Sequence, residues 1–158
     1  MDLGLKGLRA VVTGGTKGIG RAIADTLAAE GTHVAFCARN AAEVAAAEAA
    51  LAAKGVAALG RVVDVSDGAA LAAFVDEAAT AMGGLDIVVA NVSALAIPND
   101  EAGWKAGFET DMMGTVRLVN AALPHLQKSS AAAIVTISSV SGREIGRASC
   151  RERVSLNV

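Results

Sequence analysis

Glycines dominate residues 13–20, TGGTKGIG, which stand between an apolar run, LRAVV, and a helical pattern, RAIADTLAAEG. Glycines let a chain turn sharply and let its backbone approach a pyrophosphate, while the free N–H groups and dipole of a following helix attract negative charge. An ordinary structural turn is the alternative. The strand before and the helix after favour a phosphate cradle, and we call this segment the glycine loop.

Two cations suggest a second phosphate site, Lys17 in the glycine loop and Arg39 after the second apolar run. A dinucleotide without a 2′-phosphate is usually held through its ribose diol by an acidic residue about 20 positions after the glycines. Here the first acid after the second run is Glu43, which we assign to the solvated face of the next helix. Lys and Arg form strong charge-assisted bonds to phosphate. The pair predicts NADP(H), with solvated surface cations as the alternative.

Short apolar runs alternate along the chain with longer helical patterns. These elements must position the residues described above. The runs lack polar alternation, which indicates strands buried on both faces. The predicted strands cover residues 8–12, 33–37, 57–63, 86–90 and 132–137, and the predicted helices cover residues 18–30, 41–54, 68–82 and 106–127. The order βαβαβαβαβ predicts a doubly wound, parallel α/β domain, with ligands beyond the carboxyl ends of the strands.

The composition narrows the class of protein. At 158 residues, 53% apolar and 19% charged, the chain is long enough for one domain with a genuine core. Acidic residues outnumber basic ones in residues 1–142 and no basic stripe appears, so nucleic acid is not an expected partner. Apolar stretches are far shorter than the roughly 20 residues of a membrane span, and there is no signal-peptide pattern. We expect a cytoplasmic protein without a metal site.

The GxxxGxG spacing of the glycine loop resembles the cofactor fingerprint of the short-chain dehydrogenase/reductase family, including its 3-oxoacyl-ACP reductase-like members. The resemblance covers residues 7–142 and implies a Rossmann fold. It implies that Thr13 braces the turn and that Thr16 and Lys17 belong to the cofactor site. The residues implied to line the pyrophosphate are Gly14, Gly18, Ile19 and Gly20.

Two later strand ends carry further resemblances. Asp64-Val65 is similar to the family's pair of an aspartate and an apolar residue, which implies that Asp64 accepts from the adenine amine and that Val65 packs on the ring. Without the family, Asp64 would be an ordinary residue of a helix N-cap region. Asn91 matches the start of a family motif after the fourth strand, which implies a role in bracing the cofactor side of the sheet. The two residues after Asn91 depart from that motif.

The family's chemistry is hydride transfer at a carbonyl or carbinol carbon. A Tyr acts as the general acid/base and a Lys lies beside it. A Ser polarises the substrate oxygen, and an Asn on the preceding helix holds a water. Ser139 aligns with the serine, although a polar loop is the alternative. Asp111 stands where the Asn is expected, and a buried helix residue facing the sheet is its alternative. Residues 146–156 contain neither the Tyr nor the Lys, and the chain has no tyrosine.

The last residues differ from the body, with four arginines in residues 143–153. We expect residues 1–142 to be a Rossmann domain truncated after the fifth strand and residues 143–158 to be a non-native tail, with a frameshift or a divergent native terminus as alternatives. The resemblance implies an NADP(H)-dependent oxidoreductase of small carbonyl or alcohol substrates, homo-oligomeric when complete and inactive as this fragment. A non-catalytic NADP-binding or interaction module is the alternative.

Overall fold

The computed structural model describes residues 3–95 and 100–138. Strands and helices alternate through both ranges. The strands are β1 (Arg9–Thr13), β2 (His33–Ala38), β3 (Ala58–Val62), β4 (Ile87–Ala90) and β5 (Ala133–Thr136), and the α-helices are α1 (Gly18–Ala29), α2 (Ala41–Ala52), α3 (Gly68–Met82), α4 (Glu101–Gly107) and α5 (Gly114–Leu126). A π-helical segment, Phe108–Met113, joins α4 to α5.

The five described strands form one parallel sheet in the order β3-β2-β1-β4-β5. The order reverses at β1, because β2 lies on one side of it and β4 on the other. In such sheets the carboxyl ends of the strands meet at one edge, and a crevice opens there at the reversal. The predicted doubly wound α/β fold is confirmed.

The core has two layers, one on each face of the sheet. Val11 of β1 packs with residues of α3 and α5, whereas Val12 packs with residues of α1 and α2. Successive side chains of a strand point to opposite faces, so a strand covered on both sides must be apolar throughout. Burying one such side chain contributes about 1.5–3 kcal/mol. This explains why the strand runs show no polar alternation.

Cys37 of β2 belongs to this core and is fully buried. Burial raises the pKa of its thiol to about 12, so the thiol stays protonated at neutral pH and is a poor nucleophile. The structure gives Cys37 a packing role.

The amino end of the sheet is held by a cluster around Asp86. The Arg9 Nε donates to Asp86 Oδ2 at 2.7 Å, and Arg9 Nη2 donates to Oδ1 at 2.8 Å. The backbone N–H of Arg9 and the hydroxyl of Ser129 also donate to this carboxylate. Hydrogen bonding to Arg9 is the main cause that lowers the pKa of Asp86 to about 2. The cluster ties β1 to the residues before β4 and β5.

The structure changes the prediction for the long helix over residues 106–127. The helical stretch begins earlier, with Asp100 as the N-cap of α4, whose side chain accepts from the Gly103 N–H at 2.7 Å. Its regular α-helical hydrogen bonding is interrupted by the π-helical segment before α5 starts. Strand ends agree with the predictions to within a residue or so. Thr13, which we had placed in the turn, is the last residue of β1.

Apolar side chains are exposed in β5 and in the helical stretch before it. Ile134 and Val135 keep 44% and 45% of their surface exposed, and Phe108, Met112 and Val116 are also exposed. In residues 3–95 and 100–138, no helix has the length and apolar character needed to cross a membrane.

Candidate nucleotide-binding site

The glycine loop follows β1 and leads directly into α1. The N–H groups of Gly14 and Gly15 donate to the Cys37 carbonyl at 2.8 and 3.3 Å, which anchors the loop to the end of β2. Gly14 has a φ of 72°, a conformation that favours glycine. A Cβ added at Gly20 would overlap the Gly14 carbonyl oxygen and the Asn91 amide. The tight fold of this loop therefore depends on glycine at these positions.

The start of α1 presents a favourable surface to an anion. The helix begins at Gly18, and its N-cap residue, Lys17, makes no capping hydrogen bond with its side chain. No acidic residue occupies the first turn. The first N–H groups of a helix have no partner within the helix and carry its positive dipole end, so they attract phosphate.

Thr13 and Asn91 join β1 to the residue after β4. The Asn91 N–H donates to the Thr13 hydroxyl, and the Asn91 Nδ2 donates to the Thr13 carbonyl, both at 3.0 Å. The buried Thr13 hydroxyl in turn donates to the Val89 carbonyl at 3.3 Å. These bonds fix the position of the glycine loop at the point where the strand order reverses.

Glu43 lies in the first turn of α2 and makes a contact that the sequence pattern does not predict. Its carboxylate accepts from the Thr16 hydroxyl at 3.0 Å and lies 3.7 Å from the Lys17 Nζ. Glu43 therefore contacts the glycine loop and is not simply part of the solvated face of α2. One feature of the sequence bears on this contact. Asn40 caps α2 by accepting from the Glu43 N–H, which places Glu43 in the first turn of α2.

Arg39 and Asp64 follow the neighbouring strands β2 and β3. Arg39 is exposed. The N–H and hydroxyl of Ser66 donate to Asp64 Oδ1 at 2.9 and 2.7 Å. These two bonds lower the pKa of Asp64, and the charge of Arg39 lowers it further. Asp64 thus carries a negative charge at the carboxyl edge while also shaping the turn before α3, whose N-cap is Asp67.

Val65, the residue after Asp64, is only 5% exposed, and its side chain faces Gly114 of α5. It lines a small cleft together with Thr13, Ala90 and Val92. Its contact with the adenine ring stays a prediction.

Asp111 lies in the π-helical segment and holds the residues that follow β4. Its Oδ1 accepts from the Ala94 N–H at 2.6 Å, and its Oδ2 accepts from the Ser93 hydroxyl at 3.2 Å. Asp111 is half-buried. Two oxygen acceptors are used here, which a carboxylate supplies and an Asn amide does not. Ser139 lies outside the described residues, and Ser138 is the last described residue after β5.

The predicted cofactor residues that the structure describes meet at one edge of the sheet. The glycine loop, Arg39, Asp64 and Asn91 follow β1, β2, β3 and β4 in turn. No group of three or more potential metal ligands occurs within the described part of the chain. A parallel sheet with a glycine-rich cradle at its reversal point defines a nucleotide-binding protein of the Rossmann type.

The chain belongs to the short chain dehydrogenase family, which matches residues 9–150. It is similar to isoepoxydon dehydrogenase patN of Penicillium expansum, with 36% identity over 150 residues, covering 93% of this chain and 58% of that protein. The chain therefore spans less than two thirds of this relative. The family match covers most of this chain, which spans an incomplete share of the relative's length.

Among the solved structures that are similar to this chain are two with a bound dinucleotide. One is a short chain dehydrogenase from Burkholderia cenocepacia J2315 in complex with NADP, with a TM-score of 0.86, 30% identity, and coverage of 96% of this chain and 65% of that one. The other is carveol dehydrogenase from Mycobacterium avium in complex with NAD, with a TM-score of 0.84, 25% identity, and coverage of 91% and 58%.

Proposed function

We propose that this chain is the cofactor-binding part of an NADP(H)-dependent oxidoreductase that acts on a small carbonyl or alcohol substrate. The observation that carries the choice of NADP(H) is the pair of exposed cations, Lys17 in the glycine loop and Arg39 directly after β2. After β2 the chain meets no acid before Glu43. A ribose diol would thus lack the usual carboxylate at the end of β2, while a 2′-phosphate would find positive charge.

The other predicted cofactor residues would contact the pyrophosphate and the adenine of the same dinucleotide. The glycine loop and the first turn of α1 would bind the pyrophosphate, with Gly18, Ile19 and Gly20 at the helix start. Thr13 and Asn91 keep that loop in place through their paired hydrogen bonds. The Asp64 carboxylate would accept from the adenine amine.

Bound NADPH would supply a hydride to the substrate carbonyl carbon. In this proposal the Ser139 hydroxyl donates to the substrate oxygen, and Asp111 acts as a positioning residue because it holds Ser93 and Ala94 beside the same edge. The product oxygen also needs a proton, and the 158 residues contain no tyrosine to donate it. Loss of a general acid lowers turnover by about 10²–10⁴-fold, so we expect this chain to bind cofactor with little turnover.

The missing tyrosine also favours a second candidate, a non-catalytic NADP-binding module. The genomic sequence downstream of the Gly142 codon distinguishes the two, because a Tyr-x-x-x-Lys encoded there in place of residues 143–158 would assign the gene to the enzymes. Its absence would assign the gene to the binding modules.

Arg39→Ala tests the cofactor proposal. Removing a charge-assisted bond to phosphate should weaken NADP⁺ binding by about tenfold or more and leave NAD⁺ binding nearly unchanged. The dissociation constants can be measured by isothermal titration calorimetry. Arg61→Ala is the matched control, because Arg61 is a half-exposed cation paired with Glu77. Equal losses for the two cofactors, or the same loss in the control, would contradict the 2′-phosphate role of Arg39.

A further inference from the structure

Glu43 is the carboxylate that touches the glycine loop. Its two partners, Thr16 and Lys17, are neighbours in that loop, and Thr16 lies 27 positions away from Glu43 in the chain. In a capping arrangement, a Glu three residues after the N-cap reaches back to the N-cap N–H. Here the Glu43 side chain extends to a different element. The contact joins the first turn of α2 to the cofactor loop of β1 and α1.

The charge of Glu43 acts on a group that the proposed function assigns to the 2′-phosphate. The Lys17 side chain is 82% exposed and that of Glu43 is 39% exposed, and their charged atoms lie 3.7 Å apart. A 2′-phosphate that binds Lys17 must displace this carboxylate or lie beside it, and like charges at short range repel each other. A ribose without the phosphate meets no such repulsion.

We propose that Glu43 is a specificity-determining residue that reduces the preference of this site for NADP(H) over NAD(H), and that it also positions the glycine loop through Thr16. The proposal rests on the proposed function, because it assumes that Lys17 and Arg39 face the 2′-phosphate. Lys17 and Arg39 create the preference for the phosphorylated cofactor, and the Glu43 carboxylate offsets part of it. The site therefore accepts both cofactors more evenly than its cations alone would allow.

Glu43→Gln separates the two roles, since the amide oxygen still accepts from the Thr16 hydroxyl while the charge is lost. Exposed ion pairs change affinities by roughly two- to fivefold. We expect Glu43→Gln to raise the ratio of the NAD⁺ to the NADP⁺ dissociation constant by about two- to fivefold, and high salt to reduce this gain. Glu48→Gln is the matched control: it removes the same charge from α2, but Glu48 acts on Arg61 near β3. An unchanged or lower ratio in Glu43→Gln, or an equal rise in the control, would overturn the specificity role.

The positioning role has a readout that needs no cofactor. Glu43→Ala removes the acceptor as well as the charge, so amide hydrogen exchange in residues 13–20 should be faster in Glu43→Ala than in Glu43→Gln. Equal exchange in the two variants would overturn this role. If the unmodified chain binds neither dinucleotide, the proposed function fails together with the specificity role. If Arg39→Ala weakens NADP⁺ selectively while Glu43→Gln leaves the ratio unchanged, only the inference about Glu43 fails.

Discussion

The two ends of the parallel sheet use polar residues in opposite ways. At the amino end, the carboxylate of Asp86 receives hydrogen bonds from Arg9 and Ser129, and its side chain is 3% exposed. At the carboxyl end, Lys17 and Arg39 are exposed, and the first turn of α1 carries no acid. Buried polar groups that satisfy one another stabilise the fold, whereas polar groups that stay exposed to solvent, including Lys17 with its ion pair to Glu43, are available to a ligand. The comparison separates the residues that should change stability from those that should change binding.

The largest effect is expected at the amino end, from Asp86→Ala. Removing one partner of a buried ion pair costs about 3–5 kcal/mol, but the Arg9 side chain keeps 28% exposure, so we expect a loss of about 2–3 kcal/mol. Urea unfolding measures the free energy of unfolding, and dinucleotide titration measures affinity. Affinity should be unchanged under conditions where the variant is folded. A large loss of affinity without a loss of stability would contradict the assignment of Asp86 to fold stability rather than to binding.

Gly20→Ala at the carboxyl end should lower both stability and affinity, whereas Asp86→Ala at the amino end should lower stability alone. The new methyl group overlaps the Gly14 carbonyl and the Asn91 amide, so the glycine loop must shift. Such overpacking costs about 1–3 kcal/mol, and we expect about 2 kcal/mol together with at least a tenfold loss of NADP⁺ affinity. Calorimetric titration and urea unfolding on the same samples check both effects. Ala22→Ser, at an exposed position of the same helix, is the control and should change neither.

A smaller effect is expected from a change of pH, which tests how much the Asp86 carboxylate contributes to stability. Its pKa is lowered to about 2 in the folded protein from an ordinary 3.8. The unfolded state therefore binds a proton first, so the stabilisation from Asp86 is present above about pH 4 and is lost as the pH falls towards 2. It amounts to about 2 kcal/mol. The difference in unfolding free energy between the unmodified chain and Asp86→Ala should shrink by this amount between pH 6 and pH 2. A constant difference would contradict the assignment.

The sequence was sufficient to predict the sheet and its cradle, because both depend on local patterns. Uninterrupted apolar runs require burial on both faces, and glycines between a strand and a helix indicate a close backbone approach. The π-helical segment could not be predicted in this way, since its hydrogen-bond register does not appear in the spacing of apolar residues. The same holds for Glu43, whose contact with Thr16 spans 27 positions. The packing of Val65 could not be predicted in this way either, since it depends on the absence of a side chain at Gly114.

The alkylation rate of the Cys37 thiol is a measure of local opening in this protein. Its thiol is fully buried with a pKa raised to about 12, and its carbonyl receives the N–H groups of Gly14 and Gly15. The Cys37 side chain packs with residues of α3 and α5, so a reagent reaches its sulfur only after this part of the core opens. The rate of Cys37 alkylation therefore reports how often the core beside the glycine loop opens. A bound dinucleotide that stabilises the glycine loop should slow this alkylation.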